Sequence, residues 1–434
     1  MMSRSIARSG LAAAGFLLVL SGAALAADDD FEFADALSRR GYSDLAAEVF
    51  NNLINDPKST AAKKAEGQYG LALLAYGDAR LLASERNEKR RAPMEQVLKR
   101  FDEADAAFAK FISENSGHAR NLEAKLSRAK LLQDKAEYVN VCVENNWLPA
   151  GTGADGWRKQ VADWFDTAIG LFEAAEKKAK SDKDALKQSG KDSGSEWDEV
   201  VDQVAITWLF RIAALYGKGA ALAKGDPAGV ASLTQAVKEG SDDYQWEFGE
   251  TVRGLWAIHY AGLASAALDK PADAFSYLRT AAGFTAEKDP SPAIQDITFQ
   301  SYVQLGKACL AFGRRDKDDW VRKALDAFAG LDKAWPEWRK HPEGQRAGLT
   351  WARLLAVSGQ RDRALAMVQD MVKVSEATGS PAKFEATRLL GEMIAGGGGS
   401  SSAGGDVASL DPQTLSKIAR NKWNEQDYRG APPH

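Results

Sequence analysis

The chain has 434 residues, 45% of them hydrophobic and 27% charged, which is the balance of a folded protein with a large apolar core. A formal net charge of -4 leaves out the broad basic footprint that nucleic-acid binding requires. The 13 prolines sit mostly at apparent helix boundaries, and Ala, Leu, Lys, Glu and Asp dominate, so helix is predicted throughout.

Residues 1–26 have the layout of a secretory signal peptide. Arg4 and Arg8 form a positive head, and residues 11–20 are an apolar run too short to cross a bilayer. Ala24-Leu25-Ala26 then supplies a small-x-small cleavage pattern ahead of Ala27. Ala23 stands where the lipidated cysteine of a lipoprotein box would be, so a soluble exported protein is expected, periplasmic or secreted. No later stretch is expected to span a membrane.

A helical pattern starts at Phe31. Ala34 and Ala46 are twelve positions apart with Gly41 between them, and Phe31, Ala34 and Leu37 are predicted to pack on Leu45, Val49, Phe50 and Leu53. Helices are predicted at about 60–85 (with Tyr69, Leu73, Tyr76 and Leu81 facing inward), 94–114, 120–137 and 157–180. Residues 145–156 read as a loop. The segment 27–180 is one helical arm, and the charged Gly/Ser-containing segment 181–195 is predicted to be a linker.

A second arm is predicted over 196–395. It opens with a long apolar helix to about 223, and Gly225-Asp226-Pro227 turns the chain into the next helix. Three helix pairs follow: 244–268 with 272–282, 292–313 with 320–331, and the two halves of 347–372. In the last pair Ala352 and Ala364 are twelve apart, and Gly359 frees the turn between them. Residues 381–394 are predicted to form a terminal helix. Residues 396–410 are a Gly/Ser-rich linker, and 411–434 read either as a frayed tail or, over 411–427, as one short helix with Leu415, Ile418 and Trp423 on a face.

The recurring twelve-residue spacing of small residues across a turn resembles the tetratricopeptide repeat, most clearly in the first pair and the three pairs after Tyr244. The resemblance implies an all-α chain, an irregular α-solenoid of antiparallel helical hairpins, whose first helices line a groove that binds a protein or peptide. Carrying over the repeat's groove positions selects Trp256, His259 and Leu263 from one pair. The next pair contributes Val303, Lys307 and Leu310, and the third Arg346, Leu349 and Arg353. Lys307, Arg346 and Arg353 would meet an acidic peptide or a terminal carboxylate. The alternative for these three is solvated charge on exposed helix faces. The paired asparagines of the chaperone-tail clamp are absent.

Little points to catalysis. The four histidines include no i, i+4 pair, and HExxH, CxxC, Walker and GxSxG motifs are all missing, so no metal, no cofactor and no enzymatic activity are expected. Cys142 and Cys309 are far apart in the chain, and Cys309 is expected to be a buried free thiol. The expected function is that of a non-catalytic binding scaffold in the bacterial cell envelope. The alternatives are an envelope hydrolase on a helical toroid, using paired carboxylates, or a structural subunit of an extracellular assembly.

Overall fold

A computed structural model describes residues 29–85, 91–222, 224–283, 291–315 and 318–395. The expected signal peptide, the Gly/Ser-rich linker 396–410 and the tail 411–434 lie outside the described residues. Among the described residues the regular structure is all helical except for one ladder of two two-residue strands. It divides into two compact units at Lys270/Pro271.

The first unit holds α1 (Asp29–Arg39), α2 (Ser43–Asn55), α3 (Ala61–Ser84), α4 (Met94–Glu114), α5 (Asn121–Glu144), α6 (Ala154–Gln188), α7 (Ser195–Ala221) and α8 (Pro227–Lys238). A π-helical turn, Glu239–Asp243, runs on into α9 (Tyr244–Phe248), and α10 (Val252–Ala267) ends the unit. Helix starts follow their capping residues. Thr60 Oγ1 accepts from Lys63 N at 3.2 Å, and Asp226 Oδ1 accepts from Ala228 N at 2.9 Å, with Pro227 at the first helical position.

Each helix in this unit packs on the next in sequence, and alternate helices also touch: α1 with α3, α3 with α5, α5 with α7 and α7 with α10. Small residues permit the close approach. Ala34, Ala46, Ala104 and Ala168 are fully buried, and a Cβ on Gly70 would come within 2.3 Å of the Phe50 ring. Phe50, Phe101, Phe108, Phe111, Phe165 and Phe172 fill the space between.

Three expectations need correction here. The segment 181–195 is not a linker: α6 continues to Gln188, only residues 189–194 are non-helical, and α7 packs back along α6. Lys178 reaches Asp182 across a single turn, so the charged start of this segment continues the helix. The compact boundary therefore falls some eighty residues later than expected. Leu45 and Leu81, predicted to pack, are 51% and 73% exposed, while their neighbours Ala46, Ala79 and Ala83 take the inward positions. Finally, α7 has the length and composition of a membrane span, contrary to expectation, although Val204, Trp208, Ile212 and Leu215 are buried within the unit as core.

The second unit holds α11 (Pro271–Ala282), α12 (Pro292–Phe312), α13 (Trp320–Phe328), α14 (Leu331–Ala334), α15 (Pro342–Val357), α16 (Arg361–Ala377) and α17 (Ala382–Ala395). The expanded turn after α12 forms an antiparallel ladder, β1 (Arg314–Arg315) with β2 (Asp318–Asp319). Gly359 adopts φ +84° between α15 and α16, and Gln360 N donates to Leu355 O at 2.9 Å, which closes the helix end as the glycine predicted. Ala352 and Ala364 are both fully buried. Here too alternate helices touch, α12 with α15 and α15 with α17.

A Cβ on Gly306 of α12 would lie 2.4 Å from Thr350 Cγ2 of α15. Gly306→Val should therefore lower stability by about 1–3 kcal/mol through overpacking. Chemical denaturation checks this; an unchanged midpoint would show that the two helices are not in close contact.

Candidate functional site

In the second unit, Lys307 on α12 and Arg346 and Arg353 on α15 share one face and are all half-buried. Each faces a carboxylate. Arg346 pairs with Glu343 one turn earlier, and Arg353 Nη1 lies 3.1 Å from Glu385 Oε1 on α17. Burial pushes the Lys307 ammonium below its usual pKa; Glu385 and Glu343 oppose that shift, while Arg353 and Arg346 add to it. All five groups are thus close enough to act on one another. Asp296 of α12 also faces this cluster. Its carboxylate lies 3.3 Å from His341 Nε2, and it helps burial to raise the Glu343 carboxyl above its ordinary pKa.

The remaining expected groove residues divide by burial. Leu310 is half-buried on α12, but Leu349 is fully buried beneath the cationic face, as is Val303 in all but 4% of its surface. In the first unit Trp256 is half-buried, whereas His259 and Leu263 belong to the core. Burial pushes the His259 imidazole down to about 3, so it is neutral at physiological pH. Val303, Leu349, His259 and Leu263 are therefore core residues and not surface ones: the helix turns them inward, against neighbouring helices.

A second polar face, absent from the sequence-based expectation, lies on α3, α5, α7 and α10. Asp134 of α5 accepts from Tyr76 OH at 2.7 Å, pairs with Arg80 Nε at 3.3 Å, and pairs with Lys130 one turn earlier. One turn further on, Glu137 accepts from Gln133 Nε2 at 2.9 Å. Burial raises the Glu137 carboxyl to about 7, against the pull of Lys130 and with a further push from Asp134. Half-buried Tyr216 of α7 and Tyr260 of α10 feel the same carboxylate, and their rings lie 6.0 Å apart. Trp256 continues the row, 6.2 Å from Tyr260. The i, i+4 series Lys130, Asp134 and the one-turn step to Glu137 were visible in the sequence, but only the neighbouring helices show that they are enclosed.

A third cluster ties α6, α7 and the π-helical turn together. Glu239 accepts from Trp208 Nε1 at 2.9 Å and Gln235 Nε2 at 2.8 Å, and pairs with Arg211 Nη2 at 2.8 Å. Arg211 Nε also lies 3.0 Å from Glu176 Oε2. Beside it, Glu173, Lys177, Lys180 and Asp184 line an open groove of about 620 Å³. Glu173, Glu176, Lys180, Arg211 and Glu239 pair with one another within the chain, so the cluster reads as a structural hub: removing one member of such a buried pair costs about 3–5 kcal/mol.

Among the described residues no group of three His, Cys, Asp or Glu side chains is placed to hold a metal ion. Cys142 and Cys309 are buried and are not joined in a disulfide, and burial pushes the Cys309 thiol up to about 12, which suppresses its thiolate. No protein-family model matches the chain, and no curated protein matches it closely enough to count as a relative.

The Glu137 carboxyl makes a signed prediction. Its folded pKa of about 7 exceeds the ordinary 4.5, so between those values the folded chain keeps a proton that the unfolded chain releases. Its contribution to stability therefore falls as pH rises through that window. Glu137→Gln should be more stable than the parent at pH 8, with the difference closing below about pH 4.5. Denaturation midpoints at the two pH values test it; a difference that does not depend on pH would contradict the assignment.

Proposed function

We propose that this protein is an exported, non-catalytic scaffold of tetratricopeptide-like helical hairpins that binds a protein or peptide in the bacterial cell envelope. The observation carrying this reading is the convergence of Lys307, Arg346 and Arg353 on one face of α12 and α15. Three cations held half-buried by packed helices lose less entropy on binding than three free side chains would. A partner carboxylate entering this face competes with Glu343 and Glu385 for the guanidinium groups. Selectivity then comes from bidentate geometry, and binding weakens as salt rises.

The repeat reading is supported by two features. The small residues spaced by twelve (Ala34 with Ala46, Ala352 with Ala364) are fully buried, and alternate helices touch within each unit. Stacking of that kind is how a nearest-neighbour array buries its core. Export rests on the sequence of residues 1–26.

Immobilised wild-type protein should recover a partner from envelope extract, and Lys307→Glu/Arg353→Glu should lose at least roughly tenfold of that recovery, since each charge-assisted contact contributes about 1.5–3 kcal/mol. Equal recovery would remove the site. N-terminal sequencing of protein isolated from the producing cell tests export separately: the mature chain should begin at Ala27, and a chain starting at Met1 would refute cleavage.

A further inference from the structure

The polar face on α3, α5, α7 and α10 of the first unit holds acceptors that lack donors. Asp134 is well supplied, since Tyr76, Arg80 and Lys130 all reach it. Glu137, one turn further along α5, receives the Gln133 amide at 2.9 Å and enters no ion pair among the described residues. Gln133 is 3% exposed, and its Oε1 has no hydrogen-bond partner. Leaving a buried acceptor unpaired is costly, so an unpaired one beside a half-buried carboxyl points to a ligand that brings the donor.

Aromatic rings flank these acceptors. Tyr216 and Tyr260 both feel the Glu137 carboxylate, their ring centroids are 6.0 Å apart, and Trp256 follows 6.2 Å from Tyr260. All three rings are half-buried. Glu144, exposed and two turns beyond Glu137 on the same side of α5, brings a second negative charge to Tyr216. Acceptor oxygens and negative charge beside several aromatic rings are the complement of an ammonium ion, which carries N–H donors and positive charge together.

We propose that this face binds a primary alkylammonium group, held by the Glu137 carboxylate and Gln133 Oε1 with Tyr216, Tyr260 and Trp256 around it. One ammonium N–H goes to the carboxylate and another to the amide oxygen, while the charge lies against the rings. The chain's own cations are committed elsewhere: Arg80 and Lys130 to Asp134, and, on the opposite side of α5, Arg128 to Asp105 and Lys135 to Asp102 of α4. Binding is coupled to pH. Burial, with a push from Asp134, keeps the Glu137 carboxyl neutral to about 7 against the pull of Lys130 and Arg80, and burial holds the Tyr76, Tyr216 and Tyr260 hydroxyls protonated there. An arriving cation favours the carboxylate, so below that pH binding expels the Glu137 proton to solvent, and affinity rises with pH. The same ammonium chemistry belongs to a lysine side chain and to a free alkylamine, both charged throughout this range.

Calorimetric titration of the full chain with n-butylammonium chloride tests the site. Association should strengthen about tenfold from pH 6 to pH 8, as ionisation of one group near pH 7 requires. Tetramethylammonium, which has no N–H, should bind at least ~10-fold more weakly. Glu137→Gln, the same size as the parent residue, should lose the pH dependence and at least ~10-fold of the affinity at pH 8. Tyr260→Phe keeps the ring and should bind like the parent. Absence of binding, equal affinity at the two pH values, equal affinity for the two cations, or unchanged affinity in Glu137→Gln would each overturn the proposal. Nα-acetyl-lysine amide separates the sources: if it binds as tightly as butylammonium the site takes a lysine side chain, and if only butylammonium binds the site takes a free alkylamine.

Discussion

The structure depends on one constraint: each helix carries apolar surface on more than one side and must be covered by two or three neighbours. Helix backbones approach closely only where side chains are small. Ala34 and Ala46, Ala352 and Ala364, and Gly306 against Thr350 are such places. Once the small positions set the separation, phenylalanines and tryptophans fill what remains, and the amphipathic helices have no freedom to rotate.

That rotation decides which polar groups are buried and which reach the surface. On α15 the same turn that sends Leu349 and Ala352 inward sends Arg346 and Arg353 to the half-buried face. On α5, Leu131, Leu132 and Ala136 pack away from solvent, and Lys130, Asp134 and Glu137 are drawn together beneath α3, α7 and α10. Polar clusters of this kind are costly to bury and specific in geometry, since every carboxylate must find its donors. Asp134 finds three, which holds it fixed. Glu137 holds one amide donor, and burial keeps its proton to about pH 7.

The hub at Arg211 shows the same economy in a structural role. Glu239 sits where the helix loosens into a π-helical turn, and its carboxylate gathers Trp208, Gln235 and Arg211 from two helices. Gly240 lies at the same turn, where a Cβ would meet Ala257 O at 2.6 Å, so the irregular turn also admits the backbone of α10. In the hub Glu239 collects three donors, while the cations of the second unit lie half-buried on one face.

Helix class, most helix boundaries and the small-residue contacts were legible in the sequence, because period, capping and glycine turns are local properties. The bounds of α4, the proline starts of α8 and α12 and the Gly359 turn all follow from nearby residues. Helical spacing places Arg346 and Arg353 on one side of α15, whereas Lys307 of α12 was joined to them through the repeat resemblance. What the sequence could not decide was depth. His259, Leu263 and Leu349 have the right spacing for a groove and are buried, because exposure depends on which neighbour covers a helix face. The run at 181–195 has the composition of a linker and is mostly helix, because packing along α7 outweighs weak local preference. The sequence by itself determined an all-helical chain and where its helices turn; only the tertiary structure decided which faces are covered, since burial is a property of distant segments brought together.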